Sequence, residues 1–169
     1  MKELVIGLGS NLGDRERNIA EALHLLSGEF GPPERVSSLH VTEPWGFESS
    51  NRFLNSVAFF RPPAVTEPEG QALEEALMGY LRVLLSVEER LGRSRLGSGY
   101  ADRTIDLDLL FFGDTVLSVA GLTVPHPLLH QRAFVLKPLV EVCPGLVHPV
   151  MKKSAIELLE ALNMLTDGY

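Results

Sequence analysis

Cysteine is almost absent: Cys143 is the only one in 169 residues. No disulfide can form within the chain, and a reducing compartment, the cytoplasm, is the expected setting. Long hydrophobic runs are missing too. The stretch from Met1 to Ser10 carries Lys2 and is broken by Glu3 and Gly7, so it reads as neither a signal peptide nor a membrane span. Lysine is scarce, at four of the 15 basic residues, and 22 acidic residues leave a formal net charge of −7. A protein that grips long nucleic acid through phosphates is expected to be basic, so neither nucleic acid nor a membrane is an expected partner. The dipeptide Gly-Lys never occurs, which excludes a Walker A loop. Protein-kinase, zincin and nucleophile-elbow signatures are also lacking.

What is present is an ordinary globular composition, 45% hydrophobic and 22% charged, sized for a single domain over residues 1–169. Oligomeric state is left open, and a monomer is compatible with it. Residues 3–8 read as a buried strand running into Gly9-Ser10-Asn11-Leu12-Gly13. Asp14 is placed to cap a helix with apolar positions Ile19, Ala22, Leu23 and Leu26. Strands are expected over 36–42 and 53–60, separated by a loop over 43–51. A long helix follows, with Leu73, Leu77, Leu81, Leu84 and Leu91 near helical spacing. After a loop over 92–103 come strands over 104–112 and 115–119, then short helices over 133–140 and 153–162. The order strand, helix, strand, strand, helix, strand predicts an α+β fold with a ferredoxin-like core. Both long helices are expected on one face of an antiparallel sheet and the C-terminal helices on the other, giving three α/β/α layers.

Asp106-Leu107-Asp108 lies within the strand pattern over 104–112. Alternation points both carboxylates to one face, roughly 6–7 Å apart, with Ile105, Leu107, Leu109 and Phe111 assigned to the opposite, core face. Two like charges on an apolar strand repel and lose hydration. A hard divalent cation offsets that, and Mg²⁺ favours one or two carboxylates plus substrate phosphates. Taken alone, a solvated strand face carrying two exposed aspartates explains the pattern at least as well.

The preceding loop changes the balance. Arg90, Arg93, Arg95 and Arg103 fall just before the pair, among Gly92, Gly97 and Gly99. Arginine binds phosphate oxygens in bidentate fashion and is always charged. A cationic loop beside an anionic metal site suits polyphosphate chemistry. His126, in Val124-Pro125-His126-Pro127, occupies a rigid turn that can meet a phosphate. Trp45, Phe53, Tyr100 and Phe134 are candidates to stack on a flat heterocycle, although most aromatics in a domain belong to its core. The glycines of residues 7–13 miss the dinucleotide-binding spacing, because Leu12 stands where the third glycine is required.

In order and spacing, these segments resemble the 6-hydroxymethyl-7,8-dihydropterin pyrophosphokinases, over about residues 5–149. The most specific stretch is Arg103-Thr104-Ile105-Asp106-Leu107-Asp108-Leu109, then Phe112-Gly113 and Leu122-Thr123-Val124-Pro125-His126. Gly9-Ser10-Asn11-Leu12-Gly13 and Phe53-Leu54-Asn55 match as well. The resemblance implies transfer of pyrophosphate from Mg·ATP to the pterin hydroxymethyl group, releasing AMP, in folate biosynthesis. It implies that Asp106 and Asp108 hold two Mg²⁺ ions. Arg93 and Arg103 are then the groups that stabilise the transferring phosphates. Glu88, Arg95, Thr123, His126 and Arg132 fall on the ATP side. Thr42, Trp45, Phe53, Asn55 and Phe134 form the pterin pocket, with Asn55 on the pterin's amide edge and Phe134 stacked on its ring. The chain departs from the family pattern at Tyr100 and Phe53, where tryptophan and tyrosine are common, and at Glu43 and Trp45, which replace smaller residues.

Two alternatives remain. A two-metal nucleotidyl transferase also needs paired carboxylates, but it needs a basic track for a strand as well. A ligand-binding regulatory domain of similar plan has no use for the pair beside the arginines. The segments 93–101 and 45–51 lack apolar periodicity and are expected to be mobile without ligand and to tighten when both substrates bind.

Overall fold

The computed structural model describes residues 2–63, 69–93 and 101–166. Arg95, Tyr100 and most of the segment expected to act as a mobile loop therefore lie outside the described residues.

The central strand β1 (Leu4–Ser10) pairs antiparallel with β4 (Phe53–Phe60) on one side and β5 (Asp106–Phe112) on the other. β2 (Arg35–Val36) and β3 (His40–Thr42) both pair with the outer edge of β4. With α1 (Arg15–Phe30) and α2 (Gly70–Arg90) as crossovers, the sheet order β2/β3, β4, β1, β5 is that of a ferredoxin-like α+β core. A separate hairpin joins β6 (Leu117–Val119) to β7 (Leu122–Val124). A 3-10 turn (Leu129–Gln131), α3 (Ala133–Val142) and α4 (Ala155–Thr166) complete the chain. Among the described residues no helix is long and apolar enough to cross a membrane.

Helices cover both faces of the sheet, so every residue of β4 is buried. Alternation sorts them: Leu54, Ala58 and Phe60 join the cluster under α1 and α2, whereas Val57 and Phe59 join the one under α3 and α4. α1 begins where expected, because the Asp14 side chain accepts a hydrogen bond from Arg17 N at 3.1 Å. Its buried stripe, Ile19, Ala22, Leu26 and Phe30, follows the helical repeat. Truncating a wholly buried leucine such as Leu136 of α3 is expected to cost about 2–5 kcal/mol.

Two expectations are corrected. The segment 36–42 is not one strand. Residues 35–36 and 40–42 pair with β4 in registers that differ by one residue. Between them Ser37 takes over the ladder: its N–H donates to Val57 O at 2.9 Å and its hydroxyl accepts from Val57 N at 3.0 Å. The second correction is Phe111. The register of β1 with β5 shifts between Val5 and Ile6, which leaves Leu110 without a partner across the ladder. The extra residue reverses the alternation beyond it. Phe111 therefore packs with α3 and α4, and Phe112 takes its place against α1 and α2.

Candidate active site

Gly7 and Gly9 occupy the face of β1 that looks toward α3, opposite Asp108 and Asp106 of β5 respectively. Their lack of side chains leaves room in front of the carboxylates. At Gly9 the requirement is strict: a Cβ would lie 2.9 Å from Asn55 Oδ1. Asn55, on β4, is buried and donates to Thr42 Oγ1 at 2.7 Å, which fixes the orientation of its carboxamide.

Asp106 and Asp108 do share a face, with 28% and 33% of their side chains exposed. Arginines hold both. Arg93 Nη1 lies 2.6 Å from Asp106 Oδ1, and Arg103 Nη1 lies 3.0 Å from Asp106 Oδ2. Arg132 Nη1 is 3.7 Å from Asp108 Oδ2. Arg93 is held from behind by Glu88, at 2% exposure the most buried carboxylate here. Glu88 also accepts the backbone N–H of Leu107 at 2.8 Å, tying the end of α2 to the strand between the two aspartates. Arg90, the remaining described arginine at the end of that helix, is exposed.

Burial and the neighbouring Asp106 push the Asp108 carboxyl up from 3.8 to about 7, against the pull of Arg132. Burial first, then Arg132, pull His126 down to about 4, so its ring is neutral near pH 7. Nδ1 lies 3.2 Å from Leu128 N, and Nε2 lies 3.5 Å from Arg132 Nη1 and 4.0 Å from Asp108 Oδ1. The imidazole and a guanidinium thus face this carboxylate together. Among the described residues no three or more His, Cys, Asp or Glu cluster as a closed metal cage. Two adjacent carboxylates open to a cavity are instead the donor set of a hard cation shared with phosphate oxygens, and the residues fit Mg²⁺.

The raised Asp108 has a stability consequence. The folded protein binds a proton there between about pH 4 and 7 that the unfolded chain has released, so this residue's contribution declines as pH rises through that window. A third of the side chain still meets solvent, which holds the penalty to about 1–2 kcal/mol. In metal-free calorimetry, Asp108→Asn is expected to melt with the parent at pH 4 and roughly 3–6 °C above it at pH 8. Equal melting temperatures at both pH values would contradict the raised carboxyl.

Two cavities flank the pair. One of about 390 Å³ is lined by Thr42, Trp45, Phe53, Asn55 and Phe134, the five residues expected around a flat heterocycle, together with Arg103, Asp106 and Arg132. Glu43, noted in the sequence only as a departure from the family pattern, and Phe47, which no sequence signal marked, complete it. The guanidinium of Arg132 stands 4.8 Å from the Trp45 ring and 5.6 Å from the Phe134 ring. Arg132 thus lines this cavity although the resemblance implies the ATP side for it. The other cavity, about 750 Å³, runs along β5 and is lined by Leu107, Asp108, Leu109, Thr123 and His126, with Leu81 of α2. Asp106 lines the first cavity and Asp108 the second, and a third of about 290 Å³, in front of Gly7 and Gly9 and beside Phe134, borders both aspartates and joins the two sites.

Three residues of the surrounding frame were missed. In the sequence Asn11 stands out only as part of the turn after β1. Its Oδ1 accepts from Arg103 N at 2.8 Å, and its N–H donates to Arg103 O at 3.1 Å. Asn51 and Asp102 join it, as described below. Their partners lie 40 to 92 residues away in the chain, so no local pattern announces them.

Comparison with known proteins is consistent with this arrangement. The profile of the family described as 7,8-dihydro-6-hydroxymethylpterin-pyrophosphokinase (HPPK) matches residues 5–144. The 2-amino-4-hydroxy-6-hydroxymethyldihydropteridine pyrophosphokinase of Aquifex aeolicus is 34% identical over 90% of this chain and 88% of its own. That of Porphyromonas gingivalis is 38% identical over 88% of this chain and 95% of its own. Among solved structures, the wild-type Plasmodium falciparum HPPK-DHPS superposes with a TM-score of 0.72 at 15% identity, over 99% of this chain. The present chain spans 46% of that protein's length, and the likeness concerns the fold.

Proposed function

The chain belongs to the 7,8-dihydro-6-hydroxymethylpterin-pyrophosphokinase family, and from that premise we propose that Asp106 and Asp108, set between two cavities, are where its chemistry takes place. As an ATP-dependent enzyme of folate synthesis it transfers pyrophosphate from ATP to the hydroxymethyl group of 6-hydroxymethyl-7,8-dihydropterin. The placement of the carboxylate pair carries the residue assignment: one aspartate borders a small aromatic-lined cavity and the other a larger one along β5.

The pterin occupies the smaller cavity, where the buried Asn55 amide meets its amide edge and Phe134 its ring face. ATP lies along β5, past Thr123 and His126. Arg95 remains a candidate contact from outside the described residues. Asp106 and Asp108 hold two Mg²⁺ ions, which supply charge neutralisation and alignment of the phosphates when bound.

The chain's own groups do the rest. The pterin hydroxymethyl oxygen attacks the β-phosphorus of ATP, and the bond to the α-phosphate oxygen breaks as AMP departs. In the structure Arg93 and Arg103 neutralise Asp106. With substrate present they turn to the phosphoryl oxygens on which charge develops. Glu88 acts through Arg93, as the buried anion that aims it. Neutral His126 lines the ATP cavity and meets the phosphates without adding net charge. No general base is assigned, because little covalent chemistry falls on the protein in phosphoryl transfer.

Residues 1–169 are read as one catalytic domain, since both hydrophobic clusters share a single sheet. A cytoplasmic location is the reading that a single cysteine, Cys143, favours, since a chain without a disulfide suits a reducing compartment.

The decisive assay supplies ATP and the reduced pterin and separates AMP from ADP. Pterin-dependent AMP is the expected product, and ADP in its place would refute pyrophosphoryl transfer. Pterin recognition has its own test. Asn55→Ala removes the buried amide and is expected to raise the pterin KM by about 10- to 100-fold, with the ATP KM within about threefold of the parent. An unchanged pterin KM would move the pterin elsewhere.

A further inference from the structure

Asp102 stands immediately before Arg103 and is exposed, yet both of its carboxylate oxygens are engaged. Oδ1 accepts from Asn11 Nδ2 at 2.7 Å and Oδ2 from Asn51 Nδ2 at 2.6 Å. Hydrogen bonds from Ser49, Asn51 and Asn11, with Ser49 the largest contribution, hold the carboxyl below its ordinary 3.8. The second asparagine is itself constrained: its backbone N–H donates to Ser49 Oγ at 3.0 Å, and its carbonyl accepts from Asn11 Nδ2 at 3.2 Å. Three segments meet at this point. They are the turn after β1, the far end of the 43–52 loop, and the backbone that delivers Arg103 to Asp106.

The 43–52 loop contributes Glu43, Trp45 and Phe47 to the smaller cavity. It leaves the sheet at Thr42 and returns at Phe53. Between these ends, Asp102 gathers the loop's ties to the carboxylate side of the molecule: Asn51 and Ser49 both bond to that carboxylate, and Asn11 Nδ2 donating to Asn51 O and Arg15 Nη1 donating to Arg52 O at 2.7 Å support them. A charge-assisted hydrogen bond this short resists loop opening more than a neutral one. Wherever the bond is broken, the pterin must order the loop as it binds, and its affinity falls by that cost.

We propose that Asp102 is a positioning residue that latches the pterin-side loop, through Asn51, to the segment carrying Arg103. The inference rests on the assignment of the smaller cavity to the pterin. It predicts a particular kinetic signature: loss of the latch weakens pterin binding, affects kcat less, and leaves ATP binding alone.

The test is an exchange of partners. Asn51→Asp sets two carboxylates against each other where a donor and an acceptor met at 2.6 Å, and like charges at that separation repel. The double variant Asn51→Asp/Asp102→Asn restores an amide facing a carboxylate. Its residue-102 carbonyl still accepts from Asn11. Binding of the reduced pterin with an unreactive ATP analogue is measured by calorimetry, beside steady-state kinetics and melting temperature. Asn51→Asp is expected to weaken pterin binding about tenfold, with the ATP KM within about twofold and melting within a few degrees. The exchange variant is expected to return pterin affinity to within about threefold of the parent. A structural lesion would lower the melting temperature and spare neither substrate, and the exchange would not repair it.

Asn55→Ala serves as the control. If it weakens the pterin while Asn51→Asp does not, or if the exchange variant fails to recover, the latch is overturned and the cavity assignment stands. If Asn55→Ala also leaves pterin binding untouched, the cavity assignment falls and the latch with it.

Discussion

Replacing Asp106 or Asp108 with alanine is expected to abolish turnover while the fold survives. Holding the metal–ATP complex in line is worth several kcal/mol, and each 1.36 kcal/mol is a decade in rate, so kcat should fall by at least about 10³-fold. The two variants differ in stability. Asp106 is gripped by Arg93 and Arg103, so Asp106→Ala leaves two guanidinium groups facing each other and should melt slightly lower. Asp108 carries a carboxyl raised by burial and by Asp106, so Asp108→Ala relieves repulsion and should melt at or above the parent near pH 8. Circular dichroism with a melting curve, beside an AMP assay across a Mg²⁺ titration, separates lost chemistry from lost structure. Near-parental kcat at saturating Mg²⁺ in either variant would remove that residue from the metal site.

Arg103→Ala and Arg93→Ala should act chiefly on the chemical step. Each guanidinium is bound to Asp106 in the structure and meets the phosphates only by leaving that partner, so its interaction strengthens as charge develops in transfer. Removing a donor of this kind costs about 10²–10³-fold in kcat, while the ATP KM is expected to move by less than about tenfold. Lysine at 103 should recover little, because it cannot reproduce the planar fork. Glu88 offers an independent check on Arg93. Glu88→Gln keeps an acceptor for Leu107 N but drops the charge behind Arg93. It should therefore show part of the Arg93→Ala deficit in kcat with a smaller loss of stability. A collapse of ATP affinity with kcat unchanged would recast both arginines as anchors of the ground state.

Much of this was legible locally. The strand expected over 53–60 coincides with β4, and the Asp14 cap and the stripe of α1 are visible in the residues themselves. The same-face placement of Asp106 and Asp108 needs only strand alternation. That alternation then misassigned Phe111, because it carries no mark of the extra residue at Leu110. The strand expected over 36–42 failed for a similar reason. Whether Ser37 continues a ladder or interrupts it depends on what Val57 offers across the sheet.

The order of the main elements, the facing carboxylates, the nearby arginines and the resemblance that joined them could be read from the residues alone, since periodicity, capping and charge spacing act over a few residues. Which partners those charges hold is settled by packing. Packing sets Glu88 behind Arg93, turns Arg132 against Trp45 and Phe134, opens the two aspartates onto adjoining cavities and closes Asp102 onto Asn11 and Asn51. Those contacts join residues up to about ninety positions apart, and such pairing is set by how the sheet and its helices pack.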